Sequence, residues 1–105
     1  MLNRRQFGQL VAGAAVMSAA PARAATVQVA IEKLEFVPAA ITVKVGDTIA
    51  WANNDRLNHT ATVKGGWDVA IPAGQTGTLV LNTAGEFDYY CRYHPNMKGR
   101  LTVTA

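Results

Sequence analysis

From Thr26 to the C-terminus the chain alternates apolar with polar or small residues in short runs. Thr26–Ile31, Ala40–Val45, Thr48–Ala52, His59–Val63, Thr76–Leu81, Glu86–Cys91 and Arg100–Thr104 each read as a β-strand. The runs are punctuated by turn-forming residues: Gly46-Asp47, Asn53-Asn54-Asp55, Gly65-Gly66 and Asn82 to Gly85. Side chains two apart on a strand share a face. Ile41, Val43 and Val45 are therefore expected to point one way, and Phe87, Tyr89 and Cys91 to share another buried face. Leu101 and Val103 complete a small core. Between Gly65 and Gln75, Trp67, Val69 and Ile71 also alternate before Pro72 and Gly74 interrupt, which suits an edge strand. No stretch after residue 25 shows a helical period. The pattern predicts an all-β domain, a sandwich or barrel.

The first residues are of another kind. Asn3-Arg4-Arg5-Gln6-Phe7 has paired arginines and then an aromatic, in the manner of a twin-arginine export signal. Leu10 to Ala20 is mildly apolar and too short for the roughly 18 residues of a spanning helix. Ala22-Arg23-Ala24 supplies a small-x-small cleavage pattern. Residues 1–24 are thus expected to be an export signal and 25–105 a single domain, located in the bacterial periplasm with no membrane span.

That division changes the charge. The whole chain is formally +3, with 10 Lys and Arg against 7 Asp and Glu. Arg4, Arg5 and Arg23 leave with the signal and no acidic residue does, so the exported part is neutral. The basic balance belongs to export and gives no support to nucleic-acid binding. About 80 residues remain, enough for one small core.

The chemistry is concentrated. The chain holds one Cys and two His, and Cys91-Arg92-Tyr93-His94-Pro95-Asn96-Met97 contains the Cys and one His with a Met after them. His59 is the other, beside Asn58. A lone cysteine cannot form an internal disulfide, and in an oxidising compartment metal ligation protects it. Two imidazoles, a thiolate and a thioether form the His₂Cys set with a weak axial Met that suits mononuclear copper. His59, Cys91, His94 and Met97 are therefore the candidate metal ligands, for one copper ion cycling between Cu(I) and Cu(II). Structural zinc wants four strong donors, and a thioether is a poor one. The bland alternatives are a turn-capping His59, a surface-loop His94 and a core Met97. Copper enzymes with further catalytic coppers need more histidines than the chain has, so no enzyme is expected.

These residues resemble the cupredoxin family of small type 1 (blue) copper proteins. Cys-x₂-His-x₂-Met is similar to the short ligand loop of its amicyanin group, near the plastocyanins. Trp51-Ala-Asn53-Asn54-Asp55 with His59-Thr60, and Tyr89-Tyr90-Cys91 with His94-Pro95 and Met97-Lys98-Gly99, resemble the segments that carry the ligands. The resemblance implies a Greek-key β-sandwich and a monomeric electron carrier, with His94 near the surface as the electron's route. It also implies transient redox partners, a dehydrogenase or a cytochrome. A copper-binding or copper-delivery protein would use the same ligands. In two places the chain departs from the pattern. Thr60 stands where many members have Asn, and Arg92 where Ser or Thr is common. The hydrogen bond between the two ligand-bearing segments must therefore be made in another way.

Overall fold

The structure, a computed structural model, describes residues 24–105. The expected export signal falls almost wholly outside the described residues. Among the described residues nine strands follow in order: β1 Thr26–Glu32, β2 Glu35–Val37, β3 Ala40–Lys44, β4 Thr48–Asn53, β5 His59–Thr62, β6 Asp68–Ile71, β7 Thr76–Val80, β8 Gly85–Tyr90 and β9 Lys98–Thr104. They form two sheets, one ordered β3-β9-β8-β5-β6 and the other β2-β1-β4-β7. Each sheet contains one parallel pair, β3 with β9 and β1 with β4, and the remaining pairs are antiparallel. The result is a Greek-key sandwich. Among the described residues no helix is long and apolar enough to cross a membrane.

Alternation explains most of the core. Val29 and Ile31 from β1, Ile49 and Trp51 from β4, and Leu101 and Val103 from β9 face one another between the sheets, all essentially buried. Burial of such side chains stabilises the fold by roughly 1.5–3 kcal/mol each. Trp51, Trp67 and Tyr89 meet in a triangle with ring centroids 5.7 to 5.9 Å apart. Phe36 closes edge-on against Tyr89 at 4.6 Å. Trp51 Nε1–H donates to the Tyr89 hydroxyl at 3.3 Å, so neither polar tip is left unmade inside the core.

Three expectations need correction. Val45 does not share the inward face of Ile41 and Val43. The strand stops at Lys44, the turn rotates Val45 outward, and it is 43% exposed. Phe87 is only half-buried and packs toward Trp67, so Tyr89 is the aromatic that lies in the buried core with Cys91. A strand was also missed: β2, only three residues long, pairs antiparallel with β1. Its hairpin turn, Lys33-Leu34, has positive φ at both residues, 53° and 62°. Neither residue favours that left-handed conformation, which is why composition does not signal the turn. The expected edge strand is present as β6, at the rim of its sheet.

Candidate metal centre

His59 opens β5, and its position is set by the loop before it. Asn53, buried at the end of β4, donates through Nδ2 to Leu57 O at 2.8 Å and Ile71 O at 2.9 Å. Its Oδ1 accepts the Asp55 N–H at 2.9 Å. Asn58 Oδ1 accepts from Ala73 N–H. One amide side chain thus organises the loop from inside, and a second ties it to the turn after β6.

Cys91 follows β8 and starts a tightly wound loop. His94 N–H donates to Cys91 O at 3.2 Å, Met97 N–H to His94 O at 2.8 Å, and Cys91 N–H to Met97 O at 3.1 Å. These three backbone bonds close the loop on itself. Its start and end are thereby held together at the mouth of the β8–β9 pair. Cys91 and Met97 are both in the buried core cluster.

The two segments meet at the sulfur. Cys91 Sγ lies 3.7 Å from His59 Nδ1 and 3.6 Å from His94 Nδ1. Among the described residues these three donors form a cluster whose ligand atoms all lie within 4.8 Å of one another. Metal–sulfur and metal–imidazole bonds of about 2.3 and 2.0 Å, opened to about 115–120°, span just such sulfur–nitrogen separations. His59 and Cys91 are buried, whereas His94 is half-buried. The imidazole rings stand 5.0 Å apart, tilted by 59°.

His59 has its orientation fixed by Asp55. Its Nε2 lies 2.9 Å from Asp55 Oδ2, so the ring donates there and Nδ1 is left as the lone pair facing the sulfur. Asp55 also accepts the N–H groups of Lys33 and Leu34, at 2.8 and 3.0 Å. Partial burial pushes its carboxyl up, but the Leu34 N–H, the His59 ring and the Lys33 N–H together hold it below the ordinary carboxylate range. The same carboxylate therefore anchors the left-handed hairpin turn and aims the first imidazole.

The link between the two segments is made by Thr60. Its Oγ1 accepts the Arg92 N–H at 2.9 Å, from the residue after Cys91. Thr60 Oγ1 and Thr62 Oγ1 are 2.9 Å apart, and Thr62 donates to Asp68 Oδ1 at 2.6 Å. Thr62 spends its proton on the carboxylate, so Thr60 donates to Thr62. Arg92 Nε–H closes the ring onto the same Asp68 oxygen at 3.1 Å. Thr62 and Arg92 hold the Asp68 carboxyl below its usual range. The two departures noted in the sequence, Thr60 and Arg92, are thus members of one hydrogen-bonded circuit. This circuit also explains why every residue of β5 is buried, where alternation alone puts Thr60 and Thr62 on an outer face.

A family model for the cupredoxin-like domain matches residues 8–103. The chain belongs to the cupredoxin family. Amicyanin of Paracoccus versutus is 31% identical over 94 residues, covering 83% of this chain and 71% of the relative. Amicyanin-alpha of Methylorubrum extorquens is 32% identical over 100 residues, covering 89% and 84%. Plastocyanin of Prochlorothrix hollandica is 32% identical over 111 residues, covering 90% and 85%. Among solved structures, an amicyanin mutant in its reduced state superposes with a TM-score of 0.68 at 29% identity, covering 74% of this chain and 81% of that one. The Cu(I) form of another amicyanin mutant gives 0.69 at 29% identity, with the same coverage.

Within this cupredoxin, His59, Cys91 and His94 converge, and Met97 is tied to Cys91 and His94 through the backbone and buried in the core. Asn53, Asp55, Thr62 and Asp68 were not singled out as functional. Asn53 and Asp55 read as part of a turn, and nothing in the local pattern sets Thr62 or Asp68 apart. Only the unusual pairing of Thr60 with Arg92 hinted at the circuit.

Proposed function

We propose that this cupredoxin is an exported, small electron carrier that holds one copper ion through His59, Cys91, His94 and Met97. The observation that carries the reading is the convergence of His59 Nδ1, Cys91 Sγ and His94 Nδ1 within 4.8 Å, from two segments distant in sequence. The donors fit copper: a thiolate and thioether suit the reduced ion, and two imidazoles suit both states. Met97, buried with Cys91 in the hydrophobic core, would supply a further, weaker sulfur donor. When bound, copper supplies a one-electron couple between Cu(I) and Cu(II).

The chain's own residues do the rest. Asp55 sets the His59 tautomer, the Thr60 link fixes the backbone beside Cys91, and the core excludes water from the sulfur. A donor set held this firmly has little to rearrange when the charge changes, which favours fast transfer. His94 is the half-buried member and gives the electron its way in and out, at a surface where a redox protein docks transiently. The carrier works as a monomer in the periplasm after removal of residues 1–24. With no Cys or His beyond the three donors, the site serves electron transfer and no enzymatic turnover. A copper-delivery protein would share the ligands, but it must release its metal. The buried anchoring of His59 and Cys91 favours retention.

Absorption spectroscopy tests the reading. Copper(II)-loaded protein is expected to be intensely blue from thiolate-to-copper charge transfer and to cycle reversibly in voltammetry. Cys91→Ser is expected to abolish the colour while leaving the far-ultraviolet circular dichroism intact. A colourless copper(II) form of the unmodified protein would overturn the assignment.

A further inference from the structure

Asp47 lies at the opposite end of β4 from the Asn53 loop, and the proposed function makes no use of it. It is a buried carboxylate, 7% exposed, in the turn between β3 and β4. Its Oδ2 accepts the Lys44 N–H at 2.9 Å, and its Oδ1 accepts the Ala25 N–H at 2.9 Å. The turn itself is closed by Asp47 N–H to Lys44 O and by Leu81 N–H to Asp47 O. The carboxylate cannot easily swing away. Ala25 is held from its other side as well, since its carbonyl accepts the Thr48 N–H at 2.9 Å. Ala24, immediately before it, is exposed and outside any strand.

The nitrogen of Ala25 is also the atom that the expected cleavage would set free. We propose that Asp47 is a built receptor for the new N-terminus, and that cutting after Ala24 turns a backbone hydrogen bond into an ion pair with the Ala25 ammonium. The inference rests on the reading of 22–24 as a cleavage site for a small-residue-specific signal peptidase. In the step itself, the C–N bond between Ala24 and Ala25 is hydrolysed. Water gives its hydroxyl to the Ala24 carbonyl carbon and a proton to the Ala25 nitrogen, which takes a second proton from solvent. The nitrogen changes from an amide with one proton to a cation with three, at a distance from Asp47 Oδ1 that already suits a charge-assisted bond. Processing would then strengthen the folded domain at the point where the signal leaves it.

The charged neighbourhood is simple. The cleft beside the contact is lined by Ala25, Thr42, Val43, Lys44, Asp47 and Thr104. Lys44 is the charged side chain there besides Asp47, and it is common to the precursor and the processed chain.

The test compares the full-length precursor with the protein recovered after export, each with Asp47 and with Asp47→Asn. Intact mass should place the new terminus at Ala25. Any other terminus overturns both the cleavage reading and the receptor. Asp47→Asn leaves one acceptor oxygen for the Lys44 and Ala25 nitrogens in both forms, and in the processed form alone it also removes an ion pair. It should therefore lower the melting temperature of the processed form by about 4 °C more than that of the precursor. Equal losses, with the terminus at Ala25, would leave the cleavage site standing and remove the ion pair. Alkaline titration supplies a second readout that needs no substitution. A free α-amine has a pKa of about 7.7–8.0, and a neighbouring carboxylate raises it in the folded state. The extra stability of the processed form should be complete below about pH 7.7 and disappear as pH rises through the raised folded-state value. A difference between the two forms that stays flat to about two units above the model α-amine pKa would overturn the proposal.

Discussion

Thr60 shows how much one hydroxyl can carry. It accepts from Arg92, donates to Thr62, and sits fully buried between the strand that begins with His59 and the loop that begins with Cys91. The bond to Thr62 is buried and the one from Arg92 partly so, and water compensates poorly for their loss. Thr60→Val keeps the shape and removes the acceptor, leaving the Arg92 N–H unmade. The expected cost is about 1–3 kcal/mol, read as a lower urea midpoint with unchanged slope. Thr60→Asn offers a carbonyl to the same N–H and should recover part of that loss. Equal destabilisation by the two substitutions would mean that volume, not the hydrogen bond, is what the position requires. Asp55 makes a related point. A turn residue by composition, it accepts three hydrogen bonds from partners far apart in sequence, and one of them is a candidate ligand.

At the scale of elements, the loop that bears Cys91, His94 and Met97 depends on the β8–β9 pair at its base. Lys98 is in register with Tyr90 and Gly99 with Tyr89. The Tyr89 ring crosses directly over Gly99, and a Cβ at that glycine would come within 2.6 Å of the Tyr89 hydroxyl oxygen and closer still to the ring. Tyr89 has no room to retreat, being wedged against Phe36 and Trp51 with its hydroxyl bonded to the Trp51 indole. Gly99 is therefore demanded by close approach. Gly99→Ala is expected to cost about 3 kcal/mol by overpacking, measured by equilibrium denaturation. In a Tyr89→Leu background the same alanine should cost much less, a non-additivity that identifies the ring as the obstacle. Additive effects would place the strain elsewhere. The β1–β2 hairpin belongs to the same scale, since its left-handed turn is held by a carboxylate supplied from beyond β4.

For the whole molecule, the candidate centre joins parts that the unfolded chain keeps apart. His59 and Cys91 are 32 residues distant in sequence and meet at 3.7 Å only when β5 and β8 have paired within their sheet. A metal held there binds the folded state and finds no such site in the unfolded one. Loading at a hundred-fold excess over the dissociation constant should then stabilise the domain by about 2.7 kcal/mol. That corresponds to a rise of roughly 10 °C or more in melting temperature for a domain of this size. Calorimetry of the copper-loaded and metal-free protein measures it. Cys91→Ser should lose most of the gain, and a gain undiminished by that substitution would place the ion elsewhere.

The alternation of side chains determined the all-β class, seven strands and an edge strand, because burial of one face imposes a two-residue period wherever a strand forms. Donor chemistry likewise pointed to His59, Cys91, His94 and Met97, since a chain with one Cys and two His offers few other combinations. Local pattern could not reach the positions where a residue's role is set by a distant partner. Val45 turns outward because its strand ends one residue early. Lys33 and Leu34 form a turn because Asp55 holds them, and β5 is buried throughout because Arg92 and Asp68 cover its second face. Asp47 looks like half of a Gly-Asp turn until folding brings Ala25 beside it. Apart from Val45, where a local turn decides, a hydrogen bond between segments far apart in sequence made the choice, and such contacts exist only in the assembled sandwich.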